Sequence, residues 1–586
     1  MNYKDKYEEW LKSDHVDDQT KEELYSIANN TVEIENRFYK DLEFGTGGMR
    51  GIIGAGTNLI NKYTVMKATQ GLANYINQCS DSVQEKVIIA YDSRNYSKEF
   101  SEAAALCLNA NGIQTYLFDG PRPTPMLSYA MRELKSIAGI VITASHNPKD
   151  YNGYKLYWQG GGQITHPMDQ QIIEEVKAVK KIEDAKSMAY AIALEKGLYH
   201  TLKSDIEDGY NQELLQLALN KSEIKKATDL TIVFSPLHGV GWMPVERVLK
   251  ALDVAYYYVV PEQAEPNGDF PTIETPNPEE KASFELSLKL AEEKNADIIL
   301  TTDADADLVG LYAKDETTGK YVPFNGNMSA IITAEYILSQ QKEKGILPKN
   351  GMLISTIVSS KMGKILAEAY GVQYTETLTG FKYIGELMNK YDETKEFEFL
   401  FGFEESYGFL NGKHVRDKDG IAAVSILSEV AAYYKNRGVT LVEQLENIYK
   451  KYGYSMENAF SITLKGKTGA EKINHILGTL RKSHLVSVGP YAIKKVRDYS
   501  LGTVKEIQTG AISNLDSVKS NVLYYELADD AWFCVRPSGT EPKVKIYFGV
   551  HEVSNKKALE KQESLKKHIE KMINTISDSY ELEKGI

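Results

Sequence analysis

Three short apolar runs in one stretch of the chain decide the fold: Lys86-Val-Ile-Ile-Ala-Tyr91, Gln114-Thr-Tyr-Leu-Phe118 and Ile137-Ala-Gly-Ile-Val-Ile-Thr143. The segments between them, such as residues 98–109, carry apolar side chains at helical spacing. Strands that alternate with helices in this way predict a mostly parallel sheet covered by helices on both faces. The stretch therefore predicts an α/β fold.

The same rhythm occurs twice more, and the last part of the chain differs. Further strands are predicted at 230–234, 255–260, 297–301, 352–356 and 397–401, with helices between them. The C-terminal part instead has predicted strands at 459–464, 531–535 and 543–550 and a long polar helix at 554–576, a mixture typical of an α+β domain. We predict three consecutive α/β domains with mostly parallel, mixed sheets and a C-terminal α+β domain, with the bounds 1–215 (including an N-terminal helical extension), 216–323, 324–445 and 446–586.

Composition excludes several classes of protein. The 586 residues are 42% hydrophobic and 25% charged, which is ordinary globular usage, and the net charge of −13 disfavours nucleic acid and anionic membranes as partners. The 3 cysteines are too few for a disulfide framework. The charged start of the chain lacks the apolar core of a secretory signal, and no stretch approaches the ~18–20 apolar residues of a membrane-spanning helix. We therefore expect a cytoplasmic protein.

Polar clusters follow directly after four of the predicted strands, where open α/β sheets bind their ligands. The first is Thr143-Ala-Ser-His-Asn-Pro148, in which Ser145 beside His146 has the chemistry of a covalent nucleophile. Lys149 and Lys155 follow and could balance a phosphate. By itself this cluster fits an ordinary polar turn better, because Ser-His pairs are common.

The second cluster is Thr302-Asp-Ala-Asp-Ala-Asp307, after the strand predicted at 297–301. In an extended conformation, Asp303, Asp305 and Asp307 would lie on one side and would repel one another unless a cation such as Mg²⁺ bound there. An EF-hand loop requires Gly and Glu where this chain has Leu308 and Lys314, which excludes that motif. The sequence favours a metal site over a solvated acidic turn.

The third cluster is Arg536-Pro-Ser-Gly-Thr-Glu-Pro-Lys543, which offers the donors of a phosphate cradle. A plain Pro/Gly hairpin is the alternative, but the density of donors favours phosphate. The fourth is Gly402-Phe-Glu-Glu-Ser-Tyr-Gly408, where Glu404 and Ser406 could bind sugar hydroxyls, although by itself it fits a polar turn. Together with weaker segments at 379–382, 416–420 and the Gly-rich turn 44–51 that presents Arg50, the set predicts phosphoryl transfer on a small phosphorylated polyol.

These motifs, in this order, resemble those of the α-D-phosphohexomutase superfamily. The likeness spans roughly residues 40 to 550, and the segments 44–51 and 416–420 are similar to those of long bacterial phosphoglucomutases related to the phosphopentomutase/glucose-1,6-bisphosphate synthase branch. The resemblance implies four domains in a heart-shaped molecule around a central cleft, with one motif in each domain.

The resemblance also implies a role for each site residue. Ser145 would be the phosphorylated nucleophile, with Arg50, His146 and Lys155 beside it and Lys155 as a proton shuttle. One Mg²⁺ would be held by Asp303, Asp305, Asp307 and a phosphoserine oxygen. The substrate-binding residues would be Thr379, Gly380, Glu404, Ser406, Lys418, Arg536, Ser538, Gly539 and Thr540.

The implied reaction converts glucose 1-phosphate and glucose 6-phosphate into one another through glucose 1,6-bisphosphate. Two alternatives are left open: a phosphopentomutase or phosphomannomutase, and a weakened, non-catalytic sugar-phosphate-binding protein. The partner expected is a small sugar phosphate rather than nucleic acid or membrane, and the chain would be a monomer or weak homodimer.

One position departs from the family pattern. The pattern continues Asp-x-Asp-x-Asp with Arg, and here that position is Leu308. The resemblance places that Arg near the transferring phosphoryl group, so its replacement removes a cation where charge develops. We therefore hypothesise a deficit in kcat that Leu308→Arg would repair.

Overall fold

The computed structural model describes residues 2–45, 47–79, 85–463, 466–537 and 543–584. The chain divides into two compact units, one formed by residues 1–352 with 380–442 and the other by residues 353–379 with 443–586. In the part of the chain that the structure describes, no helix combines the length and apolarity needed to cross a membrane.

Three capped helices open the first unit: Tyr3–Lys12, Asp18–Ser26 and Thr31–Phe38. Side chains of Asn2, Asp17 and Asn30 accept hydrogen bonds from the first-turn amides of these helices. Trp10 and Phe38 pack edge to face at 5.6 Å in a small apolar core, as the predicted helical extension requires.

The first sheet is mixed and contains seven strands. Its order is Gly48–Ile52, Tyr151–Trp158, Ala138–Ile142, Lys86–Tyr91, Gln114–Phe118 and Tyr199–Leu202, and Gly162–Gln163 pairs with Tyr151–Trp158. The helices of this segment are Lys62–Cys79, Ser97–Ala110, Thr124–Leu134, Met168–Ala178 and Tyr190–Glu195, with a 3₁₀ turn at Ile182–Asp184.

Two antiparallel strands of this sheet carry predicted site residues that the sequence placed in loops. Arg50 is on Gly48–Ile52, paired with Gly153, so the predicted Gly-rich turn is a strand at that point. Lys155 is on Tyr151–Trp158, paired with Gly48 and Val141. Gly48 requires glycine, since its φ is 128° and a Cβ would overlap the backbone of Tyr154.

The second sheet has the order Lys320–Phe324, Val309–Asp315, Ile298–Thr302, Thr231–Ser235, Tyr256–Val259. Its last three strands are parallel neighbours and the first two add antiparallel edges. The accompanying helices are Ser204–Leu217, Lys221–Lys226, Trp242–Ala251 and Glu285–Lys294, with 3₁₀ turns at Pro261–Gln263 and Lys281–Phe284.

The rest of the first unit belongs to the third predicted α/β segment. It contains the antiparallel strands Glu398–Phe403 and Phe409–Asn411 and the helices Gly326–Glu343, Phe381–Thr394 and Gly420–Lys435.

The second unit combines a strand–helix–strand segment with the C-terminal sheet. The segment comprises the strand Gly351–Thr356, which enters this unit at Leu353, the helix Met362–Tyr370 and the strand Gln373–Thr377. The sheet order is Tyr454–Thr463, Lys543–Glu552, Trp532–Pro537, Leu523–Leu527, Tyr491–Asp498, Thr503–Glu506 and Ile512–Asn514, with Ser487–Val488 beside Tyr491–Asp498. Its helices are Leu441–Tyr452, Gly466–Lys482 and Asn555–Lys584.

The predicted fold class is confirmed. The first two α/β segments have mixed sheets with a parallel centre, and the paired strands of the C-terminal sheet are antiparallel. The four domain bounds remain a prediction.

Candidate active site

Ser145 lies in a tight loop directly after the strand Ala138–Ile142. Its φ is 53°, in the left-handed region, and its amide donates to the Thr143 hydroxyl at 2.8 Å. Its own hydroxyl donates to Asp303 Oδ2 at 2.6 Å and lies 3.3 Å from His146 Nδ1. The predicted nucleophile is therefore in contact with the predicted metal cluster.

Arg94, which was not predicted from the sequence as a site residue, holds this loop. Its side chain is fully buried, and its two terminal nitrogens donate to the backbone carbonyls of Ser145 (2.6 Å), Asn147 (2.5 Å), Pro148 (2.7 Å) and Tyr151 (3.1 Å). A planar guanidinium can bridge several acceptors in one fixed geometry, which a lysine cannot. Arg94 thus fixes the backbone conformation that presents Ser145.

A buried carboxylate balances this guanidinium. Asp92 Oδ2 lies 3.3 Å from Arg94 Nε and accepts the Thr143 hydroxyl at 2.6 Å. Burial raises the pKa of Asp92, and the Arg94 charge opposes that rise. The sequence did carry one signal for this pair, because Asp92 and Arg94 follow directly after a predicted strand.

The three aspartates converge through a turn, so the extended conformation assumed from the sequence is wrong. Ala306 has a φ of 53°, and its amide donates to the Asp303 carbonyl at 3.1 Å. Asp303 Oδ1 also accepts the amides of Asp307 (3.1 Å) and Leu308 (3.0 Å), which closes the turn around its own carboxylate. The acidic groups are thus brought together by the backbone.

This cluster fits a divalent cation. One ligand oxygen from each of Asp303, Asp305 and Asp307 lies within 4.8 Å of the others. Oδ1 of Asp305 and Oδ1 of Asp307 are buried and accept no hydrogen bond, so each has a lone pair available. A donor set made only of carboxylate oxygens suits a hard cation such as Mg²⁺.

Two lysines neutralise part of the cluster. Lys155 Nζ lies 2.6 Å from Asp305 Oδ2 and 2.9 Å from Asp307 Oδ2, and Lys418 Nζ lies 2.9 Å from Asp307 Oδ2. Burial opposes ionisation of Asp305, yet the Lys155 charge and the Thr124 hydroxyl, at 2.6 Å, hold its pKa well below the usual range. Burial also disfavours the Lys155 charge, but Asp305 and Asp307 hold its pKa well above the usual range. Lys155 is therefore a protonated group at neutral pH.

His146 and Arg50 also lie beside the Ser145 loop. Burial, followed by the Arg50 charge, lowers the pKa of His146 to about 3, so its imidazole is neutral at physiological pH. Arg50 Nη1 donates to Asn147 Oδ1 at 2.7 Å, in the Ser145 loop. A neutral imidazole and a guanidinium beside a serine hydroxyl suit a site for a phosphoryl group.

The loop that presents Lys418 is built on buried carboxylates. Asp417 accepts the Tyr157 hydroxyl at 2.6 Å and the Gln163 amide at 2.9 Å. Asp419 accepts the Tyr210 hydroxyl at 2.8 Å and lies 2.8 Å from His414 Nε2. The next residue, Gly420, donates its amide to the Ala306 carbonyl at 3.1 Å, so this loop is attached to the aspartate turn itself.

The predicted sugar-binding residues divide between the two units. In the first unit, the Gly380 amide donates to Glu404 Oε1 at 2.9 Å, and burial raises the pKa of Glu404 to about 7. Ser406 is half-buried two residues further on. Thr379, half-buried, belongs to the second unit.

The predicted phosphate cradle also belongs to the second unit. Arg536 is half-buried on the strand Trp532–Pro537, paired with Lys545. Ser538, Gly539 and Thr540 lie outside the residues that the structure describes.

Comparison with protein families gives four consecutive matches. They are the phosphoglucomutase/phosphomannomutase α/β/α domain I (residues 41–183), domain II (208–317), domain III (325–452) and the C-terminal domain (503–566) of the same family.

Relatives and solved structures agree with these matches. A phosphoglucomutase of Staphylococcus saprophyticus is 33% identical over 548 residues, which are 93% of this chain and 96% of the relative. A phosphoglucomutase of Staphylococcus aureus is 35% identical over 517 residues, 88% of this chain and 91% of the relative. The fold is similar to the open form of parafusin, a phosphoglucomutase of Paramecium, with a TM-score of 0.66 and 18% identity over 92% of this chain and 95% of that one. It is also similar to a phosphoglucomutase/phosphomannomutase family protein of Burkholderia thailandensis, with a TM-score of 0.61 and 18% identity over 90% of this chain and 96% of that one.

The fold and the serine–aspartate site are those of a multidomain α/β phosphotransferase. The chain belongs to the phosphoglucomutase/phosphomannomutase family.

Proposed function

We propose that this chain is a phosphoglucomutase that interconverts glucose 1-phosphate and glucose 6-phosphate. The observation that carries the proposal is the contact between Ser145 Oγ and Asp303 Oδ2, 2.6 Å long, at the edge of a three-carboxylate cluster. The staphylococcal relatives, named phosphoglucomutases, favour a glucose phosphate as the substrate.

The proposed reaction consists of two transfers. In the first, a free hydroxyl oxygen of the sugar phosphate attacks the phosphorus of phosphorylated Ser145, the bond from phosphorus to Ser145 Oγ breaks, and the hydroxyl proton is transferred to Ser145 Oγ. The product is glucose 1,6-bisphosphate, which also serves as the activator that phosphorylates an unmodified enzyme. After the bisphosphate turns round, Ser145 Oγ attacks the other phosphorus, the bond from that phosphorus to the sugar oxygen breaks, and the Ser145 proton is transferred to the sugar oxygen. The fixed loop and the surrounding charges contribute by positioning and electrostatic stabilisation.

One Mg²⁺ per chain is proposed to be held by Asp303, Asp305, Asp307 and the phosphorylated Ser145. Bound there, the ion would supply positive charge to the phosphoryl oxygens. Lys155 is proposed as the proton shuttle, and its contacts with Asp305 and Asp307 favour the protonated form, which can donate to the departing Ser145 oxygen. His146, held neutral, can accept a hydrogen bond from the same oxygen.

The remaining predicted residues are proposed to hold the substrate. Gly380, Glu404 and Ser406 would bind sugar hydroxyls and Lys418 a phosphate, and Arg50 would contact the phosphoserine. In the second unit, Thr379 and Arg536 with Ser538, Gly539 and Thr540 would bind the sugar and the phosphate that does not react. We further propose that the enzyme is cytoplasmic, in keeping with its three free cysteines. It is proposed to work as a monomer or weak homodimer.

The first test is the phosphorylation state of Ser145. Incubation with glucose 1,6-bisphosphate and Mg²⁺ is expected to add one phosphate, about 80 Da by intact mass, to the wild type and none to Ser145→Ala. A matched control is Ser128→Ala, because Ser128 is equally buried but donates to the Gly161 carbonyl. Failure of the wild type to take up phosphate would favour the non-catalytic sugar-phosphate-binding protein.

Substrate choice is tested separately. We expect kcat/KM for glucose 1-phosphate to exceed that for ribose 1-phosphate and mannose 1-phosphate, since specificity is set by this ratio. A higher value for ribose 1-phosphate or mannose 1-phosphate would identify a phosphopentomutase or a phosphomannomutase instead.

The raised pKa of Glu404 predicts that kcat/KM depends on pH. Because burial raises its pKa to about 7, the carboxylate that accepts sugar hydroxyls forms only as the pH rises through about 7. We expect kcat/KM of the wild type to increase over this range and that of Glu404→Gln to lack this step. The substrate phosphate titrates near pH ~6 in both enzymes, so the difference between the two profiles is the measurement. Parallel profiles would contradict the assignment.

A further inference from the structure

The loop 261–272, which follows the strand Tyr256–Val259 of the second sheet, covers the buried guanidinium of Arg94. The Phe270 ring centre lies 5.0 Å from Arg94 Cζ. The edges of this guanidinium face the four backbone carbonyls of the Ser145 loop, while its flat face is the surface that an aromatic ring can cover. Phe270 is 1% exposed and has a φ of 45°, a conformation that bulky residues rarely adopt.

Two neighbours of Phe270 fix the same loop against the residue after Arg94. The Asn95 side-chain amide donates to Asp269 Oδ1 at 3.0 Å. A Cβ at Gly268 would overlap the backbone nitrogen of Asn95, so this position requires the close approach that glycine allows. The loop is therefore in close contact with the first α/β segment.

The loop is also linked to the aspartate turn, through residues 238–240. The Asn267 amide donates to the His238 carbonyl at 2.9 Å, and His238 Nε2 lies 2.9 Å from the Thr272 hydroxyl. Two residues after His238, the Val240 amide donates to the carbonyl of Ala304, between Asp303 and Asp305, at 3.0 Å. One loop thus contacts both Arg94, which holds the Ser145 loop, and His238, which belongs to the segment that contacts the aspartate turn.

We propose that Phe270 is a positioning residue that keeps Ser145 in reach of Asp303 by holding Arg94. Ser145 follows a strand of the first sheet and Asp303 follows a strand of the second, so their 2.6 Å contact depends on how these two sheets are held together. Phe270 acts through its contact with Arg94. The inference rests on the proposed function, because it concerns the rate of transfer at Ser145. A shift of about 1 Å in such a contact can cost on the order of 10²-fold in rate.

The test is Phe270→Leu, which removes the aromatic face and keeps an apolar side chain. We expect kcat to fall by about 10- to 10²-fold with KM for glucose 1-phosphate within about twofold. The rate at which glucose 1,6-bisphosphate phosphorylates Ser145, followed by intact mass, should fall in parallel. Phe270→Tyr, which keeps the aromatic face, should recover most of kcat.

Two comparisons separate positioning from a general loss of stability. Phe284→Leu alters an equally buried phenylalanine of the same α/β segment, packed on Tyr312 at 4.3 Å, and should lower Tm without lowering kcat. In a double-mutant cycle, Phe270→Leu should add little to the loss caused by Arg94→Lys, since both changes act on one clamp. If Phe270→Leu does not fold, Phe270→Met replaces it, and the same fall in kcat is expected.

An unchanged kcat in folded Phe270→Leu, or full additivity with Arg94→Lys, would overturn the inference while leaving the proposed function intact. A wild type that is inactive on every sugar phosphate would instead overturn the proposed function.

Discussion

An Arg94→Lys enzyme is expected to fold, yet to lose on the order of 10²-fold in kcat. Lysine keeps a positive charge near Asp92, so the buried carboxylate retains a counter-charge. A single ammonium, however, cannot reach the carbonyls of Ser145, Asn147, Pro148 and Tyr151 from one fixed plane. We therefore expect the Ser145 loop to become mobile relative to Asp303.

The split between kinetic constants identifies this effect. KM for glucose 1-phosphate should change little, because Arg94 lies beneath the loop rather than against the proposed sugar site, whereas kcat and the rate of Ser145 phosphorylation should both fall. Arg37→Lys is the matched control: Arg37 is also largely buried and donates to Glu23, Glu33 and the Ala55 carbonyl, but in the N-terminal helices. Equal losses of kcat in the two variants would mean that Arg94 acts only through stability.

The sequence predicts the chemistry of this site better than its supports. Ser145, His146, the three aspartates and Glu404 were found because each follows a predicted apolar strand and has a reactive side chain, whereas Lys418 was predicted only from the family resemblance. Arg94 and Asp92 follow a strand too, but an Asp-x-Arg triplet has many structural uses and no motif distinguishes them. Their function depends on which carbonyls surround them, and that is a tertiary property.

Backbone conformation explains the other differences between the predicted and the observed site. The alternating aspartates fit an extended segment equally well, and only the positive φ of Ala306 turns them around the Asp303 carboxylate. Arg50 was assigned to a loop because of its glycines, yet Gly48–Ile52 pairs with Tyr151–Trp158 along five residues. Glycine permits turns without requiring them, so pairing with the partner strand determines whether this segment is a turn or a strand. Phe270 gave no sequence signal, since its role depends on the other sheet.

The Leu308→Arg enzyme is expected to gain kcat, by up to about 10²-fold. Leu308 lies at the end of the aspartate turn, where its amide donates to Asp303 Oδ1 at 3.0 Å, and the residue is only 4% exposed. The cations nearest this cluster are already engaged: Lys155 and Lys418 with carboxylates, and Arg94 with backbone carbonyls. An added guanidinium would therefore supply charge to the transferring phosphoryl group without breaking an existing pair.

The measurement is kcat at saturating glucose 1-phosphate and glucose 1,6-bisphosphate, well below the Tm of each variant. Burying an arginine costs stability, so Tm should fall while kcat rises, and this opposition distinguishes a catalytic gain from a better folded sample. Leu308→Gln, polar but uncharged, is the control and should show a smaller gain, because its amide offers only a partial positive charge to the phosphoryl oxygens whereas a guanidinium offers a full one. If Leu308→Arg left kcat unchanged or lowered it, the hypothesis that Leu308 causes a deficit in kcat would be wrong.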